Sequence, residues 1–142
     1  LIIFITNILI AFLVGSMIFF SAVVSPSVFA SLNSKGSSKF LRTIFPRMFL
    51  FGFFISLLCL VLTLFSNDFY NSLILIIVGL SFIINRNYIT PMINNFRDQE
   101  LEGDTNATSK FKTMHLLSVA LFIMNFFLLI TTIVINYINY NL

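Results

Sequence analysis

The 142-residue chain is 58% hydrophobic and 9% charged, against roughly 45–50% and 25% in soluble domains, which excludes an ordinary soluble fold. With spans of about 20 residues each there is room for helices and short connections but not for a separate soluble domain. A net charge of +3 marks many nucleic-acid binders, but these Lys and Arg residues cluster as topology signals do, and the single cysteine, Cys59, excludes an intrachain disulfide or a thiolate metal cluster.

Residues 1–24 carry no charge and are long enough to cross a bilayer, which predicts the first span. A signal peptide competes with that reading, yet the stretch lacks a basic n-region and its apolar run exceeds the roughly 7–15 residues of an h-region. Ser25-Pro26 then marks a turn or kink, because proline donates no backbone hydrogen bond and biases the preceding residue away from αR. Residues 31–47 form a basic connection: a polar linker containing Gly36, followed by an amphipathic stretch that is either an interfacial helix or a plain basic flank. Pro46 suits a first helical turn and opens the second span, 46–65. A tight polar turn over 67–71 leads into the third span, 72–93, which turns polar at Asn85-Arg86-Asn87. Residues 94–112 mix acids and bases and read as a solvated, mobile loop. The fourth span covers 111–137, and the tyrosines of the tail, Tyr137 and Tyr140, suit a membrane interface. All the basic residues lie in or beside the first and third connections. The expectation is therefore one domain, 1–142: an all-α integral membrane protein, a four-transmembrane-helix bundle with both termini on the non-cytoplasmic side, in a bacterial inner membrane.

Membrane helices pack through small residues and interhelical hydrogen bonds, so stripes of such residues should point inward. Ala11 and Gly15 share a face with Asn7 and Ala22; Gly52 and Ser56 share one with Cys59 and Thr63; Ser72, Gly79 and Arg86 recur at steps of seven. Arg86 is the charge lying well inside a span, which makes it a functional candidate by default. It either snorkels or hydrogen-bonds structurally, or it contacts a ligand, ion or proton path. Its counter-charge is Asp98, a carboxylate of residues 100–104, or a bound anion. In the fourth span His115, Ser118, Asn125, Thr132 and Asn136 align. His115 is the one histidine; its imidazole serves either a structural hydrogen bond or a proton or ligand role. Ser25, Arg86, Tyr88, His115, Ser118 and Asn125 thus make up a predicted polar pocket near the cytoplasmic side. No catalytic triad, metal set, phosphate-binding glycine loop or paired intramembrane carboxylates occurs, so neither an enzyme nor a cofactor is expected.

Three segments carry a resemblance. Val23-Val24-Ser25-Pro26-Ser27-Val28-Phe29, Ile44-Phe45-Pro46-Arg47-Met48-Phe49, and Asn87-Tyr88-Ile89-Thr90-Pro91 with Phe111-Lys112-Thr113-Met114-His115 resemble the transmembrane protein 205-like family, also known as domain of unknown function 4149. The resemblance implies a four-span membrane domain in which Pro26, Phe29, Phe45, Pro46, Pro91, Arg97, His115 and Ser118 belong to the family pattern, and Asn125 looks like its last-span asparagine. The expected role is a non-enzymatic membrane component, in contact with the lipid bilayer and with a homo-oligomer or membrane-complex partner. The alternative is a transporter or export accessory for a small anionic or metal-complexed solute.

Overall fold

The computed structural model describes the backbone of residues 1–141 and the side chains of residues 1–139, so the predicted interfacial role of Tyr140 lies outside the described side chains. Four helices are long and apolar enough to cross a membrane: α1 (Ile2–Ser31), α2 (Ser34–Phe65), α3 (Phe69–Leu101) and α4 (Thr105–Asn141). No strand occurs among the described residues. Each helix packs on its neighbours in the chain and α4 closes back on α1, while the diagonal pairs α1–α3 and α2–α4 make no close backbone approach. The result is an up-down-up-down ring, as short connections favour. One end holds Leu1, the turn at Asp68 and the close of α4; the other, the basic end, holds both remaining turns and the Lys and Arg residues.

Burial advances by alternating steps of three and four. The seam runs through Thr6, Ile10, Leu13, Met17 and Phe20 in α1, and through Phe49, Gly52, Ser56, Cys59 and Thr63 in α2. It continues through Asn71, Leu75, Val78, Phe82, Asn85 and Ile89 in α3 and Asn125, Leu129, Thr132 and Asn136 in α4. This is the stepping by which helices of a bundle interlock. The α2–α3 approach is close at one glycine and looser at the other: a Cβ on Gly52 would lie 2.7 Å from the Phe82 ring, whereas one on Gly79 would rest 3.8 Å from Phe53. Ala11 and Gly15, predicted to pack α1, face outward instead, and a Cβ on Gly15 would meet nothing within 4 Å. In a helix that is apolar all round, no polar face sets the phase, and small residues alone chose the wrong side.

The helices also run further than hydropathy predicts. Asn33 caps α2, its Oδ1 accepting from the Gly36 N–H at 2.8 Å, so Ser34 already begins the helix and Pro46 sits inside it instead of opening it. The predicted loop over 94–112 is helical except for a short turn, where Gly103 adopts φ +101° and Asp104 Oδ1 accepts from the Asn106 N–H at 2.8 Å. Lys, Arg, Glu and Gln are good helix formers, so charge marks where the apolar core stops and not where the helix does. Arg42 ties the two extensions together through paired bonds of 3.0 and 2.6 Å to Asp98.

Both α1 and α3 contain one wider π turn, Phe20–Val24 and Asn85–Ile89, placed directly before Ser25-Pro26 and Thr90-Pro91. A proline leaves an upstream carbonyl without its N–H partner, and the wider turn with a hydroxyl beside it absorbs the defect. In α3 the Thr90 hydroxyl donates to the Asn85 carbonyl at 2.8 Å. The chain therefore continues as helix to Ser31, whereas the sequence predicts the span to end near Ser25-Pro26.

Candidate functional site

A cavity of about 920 Å³ opens among the four helices at the basic end. Its position follows from the π turn of α1. Beyond that turn, residues Ser25–Ser31 stay against α2 but make no backbone approach to α4, although the two helices pack together nearer the other end. A side window results, with Ile18, Ala22 and Phe29 on one edge and Val119 and Ile123 on the other. All but Ala22 are large apolar residues that are exposed as well as cavity-lining, Phe29 by 64%.

The cavity wall is graded. At the mouth stand Arg42, Asn94 and Arg97, with Ser34, Ser37 and Ser38 at the start of α2. Arg97 pairs with Glu100 and lies 5.4 Å above the Phe111 ring, so its guanidinium is held from below by a π face. One helical turn deeper, His115 stacks on Phe111 at 6.0 Å and 10°. Deeper again, Ser118 Oγ donates to Asn85 Oδ1 at 2.6 Å while Asn85 Nδ2 donates back to the Ser118 carbonyl at 3.1 Å. The interior beyond is aromatic: Phe20 meets Phe45 at 5.2 Å, Phe45 meets Phe49 at 6.0 Å, and Phe122 and Phe126 come from α4. An arrangement of cations and hydroxyls outside, with rings inside, can hold a molecule that is polar at one end only.

Of the predicted pocket residues, Ser25, His115 and Ser118 line this cavity; Arg86, Tyr88 and Asn125 do not. Arg86 flanks the α3 seam, where Asn85 takes the buried position, and its Nη1 donates to Asn87 Oδ1 at 2.8 Å. The seven-residue step from Gly79 selected the neighbouring position to the one the seam uses. Asp98 cannot serve Arg86, being twelve residues on in the sequence, roughly 18 Å along a helix; it belongs to Arg42, and Glu100 belongs to Arg97. Tyr88 points away from the bundle at 66% exposure. Asn125 is wholly buried, and neither of its amide atoms has a hydrogen-bond partner.

Sequence reasoning passed over Arg42 as a flank charge, read Arg97 as a loop charge and named it otherwise only through the family resemblance, and placed no weight on Asn85 beyond its polarity. It also placed Asn7, Thr63, Ser72 and Asn136 on inward stripes without joining them into a second polar layer at the opposite end, and it left out Asn71 and Asp68. There Asn136 Nδ2 donates to Asn7 Oδ1, Asn71 Nδ2 donates to Asn136 Oδ1 and to Asp68 Oδ2, each at 2.6 Å, and Ser72 donates to Thr63 at 2.9 Å. The signal was available in the spacing of Asn71 from Leu75, Val78 and Phe82.

A family model described as "Domain of unknown function (DUF4149)" matches residues 8–102, which takes in most of α1 and all of α2 and α3 but none of α4. No curated protein and no solved structure matches the chain.

Proposed function

The chain belongs to the DUF4149 family, and from that premise we propose that it is a non-enzymatic membrane component that holds a small molecule in the cavity at its basic end. The observation that carries this reading is the cavity itself, with its charged mouth and aromatic interior. It lies near the upper end of the roughly 300–1,000 Å³ typical of ligand sites. The segregation of Lys and Arg supports an orientation with the basic end in the cytoplasm and both termini outside, in a bacterial inner membrane. Outward-facing apolar side chains on every helix suit lipid, and equally the contacts of a homo-oligomer or a larger membrane complex. The likeness to transmembrane protein 205-like proteins adds the reading that His115 and Ser118, beyond the matched residues, belong to the same pattern.

The chain contains no tryptophan, which gives a direct test. Phe126 lines the cavity and its neighbour Phe127 is 62% exposed on the outer face. Anilinonaphthalene sulfonate should quench the single tryptophan of Phe126→Trp saturably and that of Phe127→Trp only in proportion to partitioning into detergent. Identical quenching at both positions contradicts a binding cavity.

A second reading, export or transport of an anionic solute, draws on the two π turns: Phe20–Val24 borders the cavity through Phe20, Ser21 and Ala22, and Asn85–Ile89 stops directly before Thr90, which lines it. Interrupted helices beside a site are a device of transporters. Here Arg97, not Arg86, is the anion contact. Vesicle flux unchanged in both Arg97→Gln and His115→Ala would contradict it.

A further inference from the structure

Resting on that reading, we infer that the cavity takes an anionic lipid from the surrounding leaflet, its acidic headgroup between Arg42 and Arg97 and its apolar chain against Phe49, Phe122 and Phe126. Three independent features converge on this ligand. The first is the grading of the wall, which matches one polar and one apolar part in a single molecule; a hydrophilic solute would leave the aromatic interior without a partner. The second is charge. The basic end holds all the lysines and arginines against four acids, since Asp68 lies at the other end, and a surplus of positive charge remains after Arg42 has paired with Asp98 and Arg97 with Glu100. The bond to Glu100 uses Arg97 Nη1, and its remaining guanidinium N–H groups have no hydrogen-bond partner among the described residues. A headgroup of negative charge is thereby favoured over a zwitterionic one of the same size.

The third feature is the route. The window between the second half of α1 and the first half of α4 is edged by Ile18, Phe29, Val119 and Ile123, apolar side chains that face both the cavity and the exterior. Water-soluble anions have no use for such an opening, whereas a lipid chain can slide through it without leaving an apolar environment. Ala22 stands at the window with the smallest side chain of its edge, so enlarging it narrows the opening from an exposed position that the seam does not use.

The test is native mass spectrometry of the protein from a neutral detergent, offered equal amounts of dioleoyl phosphatidylglycerol and dioleoyl phosphatidylcholine. One phosphatidylglycerol should be retained with a preference of roughly tenfold or more, the scale expected of contact with two cations. Arg97→Gln should bring the preference towards parity, and Ala22→Trp should lower retention of both lipids, with thermal midpoints near that of the parent protein. Equal retention of the two lipids, or retention of phosphatidylglycerol indifferent to Ala22→Trp, overturns the inference. Displacement by inorganic phosphate at millimolar concentration also overturns it, because the site would then read an aqueous anion. Loss of lipid preference with saturable quenching at Phe126→Trp retained removes the lipid and leaves the cavity reading standing; loss of both removes both.

Discussion

Two buried asparagines on α4 carry opposite consequences. Asn136 donates to Asn7 and accepts from Asn71, joining α1, α3 and α4 through one side chain, whereas Asn125 lies wholly buried without any partner. Interhelical hydrogen bonds in membranes contribute on the order of 1 kcal/mol each, and a buried unpaired amide carries a desolvation penalty of about 1–3 kcal/mol. Asn136→Leu should therefore lower stability in detergent by about 1–2 kcal/mol, while Asn125→Leu should be neutral or stabilising. Thermal unfolding of the two variants in the same micelle checks this. A destabilised Asn125→Leu would show that the amide has a partner in solution, a water or a bound ligand.

Among elements, α2 and α3 approach each other closely at Gly52. Gly52 has Phe82 ring atoms at 2.7 to 3.0 Å from where a Cβ would stand, and Phe82 is itself 1% exposed, leaving the ring little room to withdraw. Gly52→Ala should cost about 1–3 kcal/mol by overpacking, despite a gain of up to about 1 kcal/mol in helix propensity; Gly15→Ala, with open space around it, should show the propensity gain alone. Equal midpoints for the two variants contradict the close approach. The number and type of elements were legible because each helix has a long apolar window that no strand or soluble helix needs. Their ends were not, because hydropathy reports where lipid stops, while Asn33, Gly103 and Asp104 decide where helix stops. Seam phase was legible in α2, where Gly52, Ser56, Cys59 and Thr63 stand out among leucines and phenylalanines, and illegible in α1, whose buried face is as apolar as its exposed one. The site was legible only in part for the same reason. Ser25, His115 and Ser118 contrast with their surroundings, but Arg42 and Arg97 reach the cavity only because the helices carrying them continue past the apolar core.

At the scale of the whole molecule, the ring of four helices sorts positive charge to one end and an asparagine layer to the other, with the cavity on the basic side. That asymmetry predicts a fixed orientation. Cys59 is fully buried, so an impermeant maleimide should leave the parent protein unlabelled in intact cells. Tyr70→Cys, at the Asp68 end, should label from outside, and Ser31→Cys, at the basic end, only after lysis; the reverse pattern contradicts a cytoplasmic basic end. The measurement that bears most directly on the cavity and its occupant is a density map of the protein in nanodiscs containing phosphatidylglycerol. The account predicts an elongated density that enters between α1 and α4 past Ala22 and Val119 and ends between Arg42 and Arg97. A closed window, with Phe29 packed on Val119 and Ile123 and the Phe49, Phe122 and Phe126 rings drawn into contact, would contradict it.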